Sequence, residues 1–188
     1  LFYLYVIFFW IMIFYGTSVI DNLLGFKNKL SVNSNPFYII ELFTFVLFLG
    51  GPLGEELGWR GFLLPRLQKK FYASIIIGFV WTFWHLPLFF IPGTAQNQIP
   101  FFLFLLEFTC FATLITWVYN KTDGSLLLTI LFHGALNTTS GVVNNFADFV
   151  ITHKYTICLI ISIIMGYFVA KMFKKDYKKV VFNLENNI

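Results

Sequence analysis

Charge is scarce in this chain: Asp, Glu, Lys and Arg make up 12% of its 188 residues, while 58% are hydrophobic and the mean hydropathy is +0.76. An ordinary soluble domain carries about 25% charged residues, so a fully water-facing surface is excluded. The 26 phenylalanines are more than one soluble core of this size can hide. Cysteine is scarcer still: Cys110 and Cys158 both fall in apolar stretches, and no Cys-x-x-Cys or Cys/His cluster exists. A disulfide framework and a cysteine-based zinc site are thereby excluded. The His-Glu-x-x-His pair that would make zinc the expected catalyst is missing as well. No repeat, heptad, low-complexity tract or Gly/Ser linker divides the chain, which reads as a single membrane domain over 1–188.

What is present is a series of long apolar runs. Crossing about 30 Å of hydrocarbon takes about 20 apolar residues in a helix. Segments 1–20, 37–65, 71–91, 99–119, 125–146 and 155–173 meet that need. They lack strand-like alternation, so the expected fold class is all-α, a polytopic transmembrane bundle of about six spanning helices. The first run has neither a basic start nor a small-residue cleavage site and reads as a span rather than a signal peptide. The chain opens on Leu1 rather than methionine, which reads as a truncated N-terminus and makes six a lower bound.

Orientation follows from the basic residues, because cytoplasmic loops hold the excess. Lys171, Lys174, Lys175, Lys178 and Lys179 place the tail, 174–188, in the cytoplasm; Lys121 and the group Arg60, Arg66, Lys69 and Lys70 then also fall inside. Only Lys27, Lys29 and Lys154 of the 13 fall on the other side. The net charge of +4 is explained by an anionic inner leaflet and calls for no nucleic acid.

Against this apolar background three short motifs stand out: Glu55-Glu56-Leu-Gly-Trp-Arg60, Trp81-Thr-Phe-Trp-His85 and His133-Gly-Ala-Leu-Asn137. Each ionisable group at membrane depth costs at least ~2.5–3.5 kcal/mol, so the cluster demands a purpose. At 1.5 Å per residue from the cytoplasmic helix ends, Glu55 lies ~15 Å deep, His85 ~18–21 Å and His133 ~12 Å. Three groups on three helices thus share a depth, in a cavity within the membrane open to the cytoplasm. Gly50-Gly51-Pro52 just before the acids predicts a helix break, tolerated where the loosened backbone faces protein or a wet cavity.

Glu56 and Arg60, four apart, share a helix face and can pair. Glu55 points about 100° away and is left free to act as a general base, a role suited to a carboxylate in a poorly solvated cavity. His85 can anchor the attacking water together with Glu55. His133 and Asn137, again four apart, offer two donors to the oxyanion formed when water attacks a carbonyl. Each motif also has a plainer reading: a structural Glu56–Arg60 ion pair, and histidine and asparagine as interhelical glue. Glu107 reads as a packing or cavity-lining residue, Glu41 and His153 as solvated, and Trp59, Trp81, Trp84 and Trp117 as packing or interfacial residues.

Glu-Glu-x-x-x-Arg, aromatic-x-x-x-His and His-x-x-x-Asn, in this order on successive apolar helices, resemble the CPBP family. That family comprises CAAX prenyl endopeptidases of the Ras-converting type together with bacteriocin-processing or immunity proteins, also called Abi. The resemblance covers a core of about 37–146 and implies an intramembrane endopeptidase acting on a peptide or protein at the bilayer. It implies catalytic roles for Glu55, Glu56, His85, His133 and Asn137, with Arg60 ordering the site. Tryptophan stands at position 81 where the family often has phenylalanine. The resemblance leaves a divalent metal such as zinc open, and the residues alone lean toward none. Abundant Phe, Ile, Asn and Lys point to an AT-rich bacterial genome and hence to a multi-pass protein of a bacterial cell membrane; in such a host the resemblance implies maturation of a secreted peptide, or self-immunity against one. A non-catalytic immunity or scaffold protein of the same fold is the alternative, and a proton-coupled transporter using Glu55, Glu107 and His85 is a more distant one.

Overall fold

Backbone amides in an apolar medium must find partners within their own segment, and the computed structural model of this chain is accordingly helical. It describes residues 2–23, 31–32, 35–67, 72–144, 160, 162–164 and 166–167. The sixth expected helix falls largely outside the described residues. So do Lys27, Lys29, Lys69, Lys70, His153, Lys154, Cys158 and the basic tail.

Among the described residues seven α-helices run in order: α1 (Phe2–Leu23), α2 (Pro36–Leu49), α3 (Pro52–Glu56), α4 (Leu64–Leu67), α5 (Ala73–Trp84), α6 (Phe101–Lys121) and α7 (Leu126–Val142). A π-helix, Leu57–Leu63, joins α3 to α4, and a 3₁₀ turn, Leu86–Phe90, follows α5. A two-residue antiparallel ladder pairs Ser31–Val32 with Val143–Asn144, the sole departure from helix pairing among the described residues. Among the described residues two segments, Ala73–Phe90 and Phe101–Lys121, are long and apolar enough to cross a bilayer. A third qualifies if Pro36–Leu49 and Pro52–Leu67, bent by 43° at their junction, count as one span. The apolar α7 is shorter, at 17 residues.

The break expected at Gly50-Gly51-Pro52 is where α2 ends. Gly50 N–H turns back to the Phe45 and Val46 carbonyls, Gly51 takes a left-handed φ of +106°, and Pro52 opens α3 at a position that needs no N–H donor. Beyond it the expected regular helix to residue 65 is replaced by the π-segment. Its i→i+5 bonding keeps residues four to five apart on one face, so Glu56 and Arg60 both turn inward.

Helix α7 is the hub: α1, α2, α3 and α6 all pack on it, while α5 and α6 form the most extensive pair. Trp10 of α1 reaches α7 by donating its indole N–H to the Phe132 carbonyl at 3.0 Å, and its ring meets Phe111 and Phe132. Small residues allow the close crossings. A Cβ on Gly134 would lie 2.6 Å from Leu47 of α2, and one on Gly78 would lie 2.5 Å from the Thr109 backbone of α6. Outward faces are apolar, with Met12, Phe37, Phe48 and Phe102 all well exposed. Buried hydroxyls are satisfied locally, as where Thr82 donates to Gly78 O and Thr116 to Ala112 O.

The Gly78 crossing is testable. A side chain there meets backbone rather than a flexible tip, so Gly78→Ala should lower stability by about 1–3 kcal/mol. A thermal melt of the purified protein in detergent should show the drop, and an unchanged melt would contradict the α5–α6 contact.

Candidate functional site

Each of the three motifs is delivered by a different part of the bundle. Glu55 and Glu56 close α3, Arg60 follows on the π-helix, His85 caps α5, and His133 and Asn137 lie one turn apart on α7. Their position reflects local sequence. The Leu86-Pro87 step disfavours a continued α-helix, so α5 gives way to a 3₁₀ turn at His85, whose backbone sits at φ −81°, ψ −7°. The imidazole turns back one helical turn, and its Nδ1–H donates to the Trp81 carbonyl at 2.9 Å.

Glu56 is the centre of the polar network. It is fully buried, and its Oε1 accepts from Arg60 Nη1 at 2.9 Å and from His133 Nδ1 at 2.9 Å. Arg60, equally buried, sends Nη2 to the Ala112 carbonyl of α6 at 3.0 Å, and its guanidinium lies 5.4 Å from the Trp81 ring centroid. The α3–π segment is thus tied to α6 and α7 through charged hydrogen bonds in an apolar surround. With its Nδ1 proton committed to Glu56, His133 presents Nε2 to Asn137 Nδ2 at 3.4 Å, a long contact.

Glu55 faces another direction, as the 100° offset requires, and is half-buried rather than sealed. It is not free of partners as expected: Oε2 accepts the Trp81 indole N–H at 2.6 Å. Oε1 lies over Gly51, where any Cβ would collide with it. The left-handed φ restricts position 51 to glycine.

His85 sits in an aromatic frame of Trp84, Phe104 and Phe108, with ring centroids 5.0, 5.6 and 4.9 Å away. It lies within electrostatic range of Glu55 and His133. No hydrogen bond joins it to Glu55; Trp81 links the two, by its side chain to Glu55 and by its main chain to His85.

The structure therefore brings Glu55, Glu56, Arg60, His85, His133 and Asn137 together, and adds Trp81 at their middle. The sequence reading of Trp81 as a packing residue missed it. The one signal that could have found it was its place one turn before His85, on the face toward the acids. Among the described residues no three His, Cys, Asp or Glu side chains converge as a metal ligand set. Glu56 Oε1 already serves Arg60 and His133, while its Oε2 is buried with no hydrogen-bond partner. The chemistry below is derived from side chains alone.

Comparison with known proteins accords with this geometry. The family profile described as type II CAAX prenyl endopeptidase Rce1-like matches residues 38–139, an interval containing every one of these side chains. A protein named CAAX prenyl protease 2, from Methanococcus maripaludis, is 32% identical over 143 residues, covering 70% of this chain and 51% of that protein. The chain thus spans about half the length of this curated relative.

Removing one partner from a buried ion pair strands the other, at a cost of ~3–5 kcal/mol. Arg60→Leu should therefore destabilise the protein by about that amount, and the double variant Glu56→Gln/Arg60→Leu should recover much of the loss. Equal melts of Arg60→Leu and the unaltered protein would contradict the buried pairing.

Proposed function

Because the chain belongs to the Rce1-like family of type II CAAX prenyl endopeptidases, we propose that it is an intramembrane protease that hydrolyses a peptide bond in a membrane-associated peptide or protein. The observation that carries this reading is the division of labour between two adjacent acids: Glu56 is buried and spent on Arg60 and His133, whereas Glu55 is half-buried and keeps Oε1 for chemistry.

In the proposed reaction, Glu55 and His85 hold the attacking water, His85 accepting through Nε2 because Nδ1–H is committed to Trp81. Glu55 takes a proton as the water oxygen bonds to the peptide carbonyl carbon, in the manner of a general base. The resulting oxyanion is met by Asn137 Nδ2 and by His133 Nε2, which donates when both ring nitrogens carry protons, the Nδ1 proton remaining on Glu56. As the intermediate collapses the C–N bond breaks, and the proton on Glu55 passes to the leaving nitrogen. Glu56 and Arg60 orient His133 without touching the substrate.

The same reading includes about six spans, with the site in a cavity reached from the cytoplasm of a bacterial cell membrane. The Methanococcus relative is named CAAX prenyl protease 2; for this chain the resemblance to bacteriocin-processing and immunity proteins, in a bacterial host, favours a secreted peptide undergoing maturation, or a self-immunity role.

The test is cleavage of a panel of membrane-anchored peptides by the purified full chain in detergent. Glu55→Gln, His85→Ala and His133→Ala should each lower kcat by ~10²–10⁴-fold while leaving the fold intact, and Glu107→Ala should leave cleavage near normal. Activity should survive a chelator. Retained cleavage in Glu55→Gln would remove the general base, and loss on chelation would replace this mechanism with a metal-dependent one. Failure of the unaltered protein to cut any panel member would favour a non-catalytic protein.

A further inference from the structure

Trp81 contacts side chains of all three motifs, through Glu55, Arg60, His85 and His133. Only 1% of it is exposed. Its ring stands edge-on to Phe108 at 4.8 Å and to His133 at 5.1 Å, while Trp59 lies at 6.5 Å and Arg60 covers it at 5.4 Å. An indole so fixed has a single donor to place, and it places that N–H on Glu55 Oε2 at 2.6 Å, short even for a hydrogen bond to a charged acceptor. A second, independent observation concerns the other oxygen of the same carboxylate. Glu55 Oε1 lies over Gly51, at the 43° bend between α2 and α3, in space that exists because position 51 has no side chain.

Taken together, the geometry points to Trp81 as the positioning residue of the catalytic carboxylate: its indole N–H anchors Glu55 Oε2, so that Oε1, over Gly51, is the oxygen that takes the proton from water. This rests on the hydrolytic reading above and makes it specific. The carboxylate has two chemically equivalent oxygens, and a base free to rotate would present either in many directions. Holding one by a rigid donor directs the other, which is how a preorganised site converts binding geometry into rate. The Trp81 carbonyl does the corresponding task for His85 by occupying Nδ1 and leaving Nε2 for water. One residue thus sets the direction of both water-binding groups.

Trp81→Phe removes the N–H and keeps an aromatic ring. With a peptide that the unaltered chain cleaves, kcat should fall about tenfold to a hundredfold, the range of one hydrogen bond to a charged group, with KM within about twofold; the ring volume lost from this packed site lowers the melt in its own right, so kcat is read well below it. A merely structural role would leave kcat of the folded protein intact, which would overturn the proposal. A second readout needs no activity. In ¹⁵N-indole-labelled protein the Trp81 N–H resonance, identified by its absence from Trp81→Phe, should move upfield in Glu55→Gln as the charged acceptor is lost; an unmoved resonance overturns the proposal. Should Trp81→Phe fail to fold, the resonance is assigned by elimination, from single replacements of Trp10, Trp59, Trp84 and Trp117, and the Glu55→Gln shift decides the proposal in the same way. The two readings fail separately: cleavage surviving in Glu55→Gln removes the hydrolytic mechanism, whereas an inactive Glu55→Gln beside a full-rate Trp81→Phe removes only the role of Trp81.

Discussion

The site depends on one carboxylate. Glu56 Oε1 takes hydrogen bonds from Arg60 and His133 at once, and Arg60 continues to the Ala112 carbonyl, so a single acid joins the α3–π segment to α6 and α7. In water such a pair would contribute little, but all of these groups are buried among apolar side chains, where an unpaired charge is costly. The same low dielectric that makes the network expensive to break makes it a rigid reference for the groups around it. Glu55, one residue earlier on the same backbone, takes its direction from that anchor and from the Trp81 indole.

The bend before α3 serves the same end. A straight continuation of α2 would carry the acids past α7 at a different rotation. The Gly50–Gly51 break resets the helix so that Glu56 meets His133 while Glu55 keeps an open side over Gly51. The π-helix that follows keeps Arg60 on the inward face with Glu56. Backbone irregularity in an apolar setting is costly unless its polar groups find partners; here the irregular stretch is also the stretch that bears the acids and the arginine.

Much of this was legible from residue order. The i,i+4 pairs, Glu56 with Arg60 and His133 with Asn137, needed only helical periodicity, and the helix break needed only Gly-Gly-Pro. The Glu56–His133 bond joins residues 77 apart, and no spacing rule reaches that far. Spacing told which acid would pair with Arg60, but not that Glu56 would be fully buried, since that is decided by the rotation of α3 against α7. Trp81 was opaque for another reason: among 26 phenylalanines and five tryptophans, an aromatic residue in an apolar helix carries almost no information until its N–H is seen to have an acceptor. The ending of α5 at His85, by contrast, follows from the Leu86-Pro87 step.

The account stands or falls on Glu56 being the joint between the first and third motifs. A double-mutant cycle on thermal stability, using Glu56→Ala, His133→Ala and the double variant in the same detergent, measures that joint directly. The account predicts a coupling of about 1–3 kcal/mol, the double variant losing clearly less than the sum of the singles. Additivity within about 0.3–0.5 kcal/mol would mean that the two residues do not interact, and that the motifs are not parts of one site.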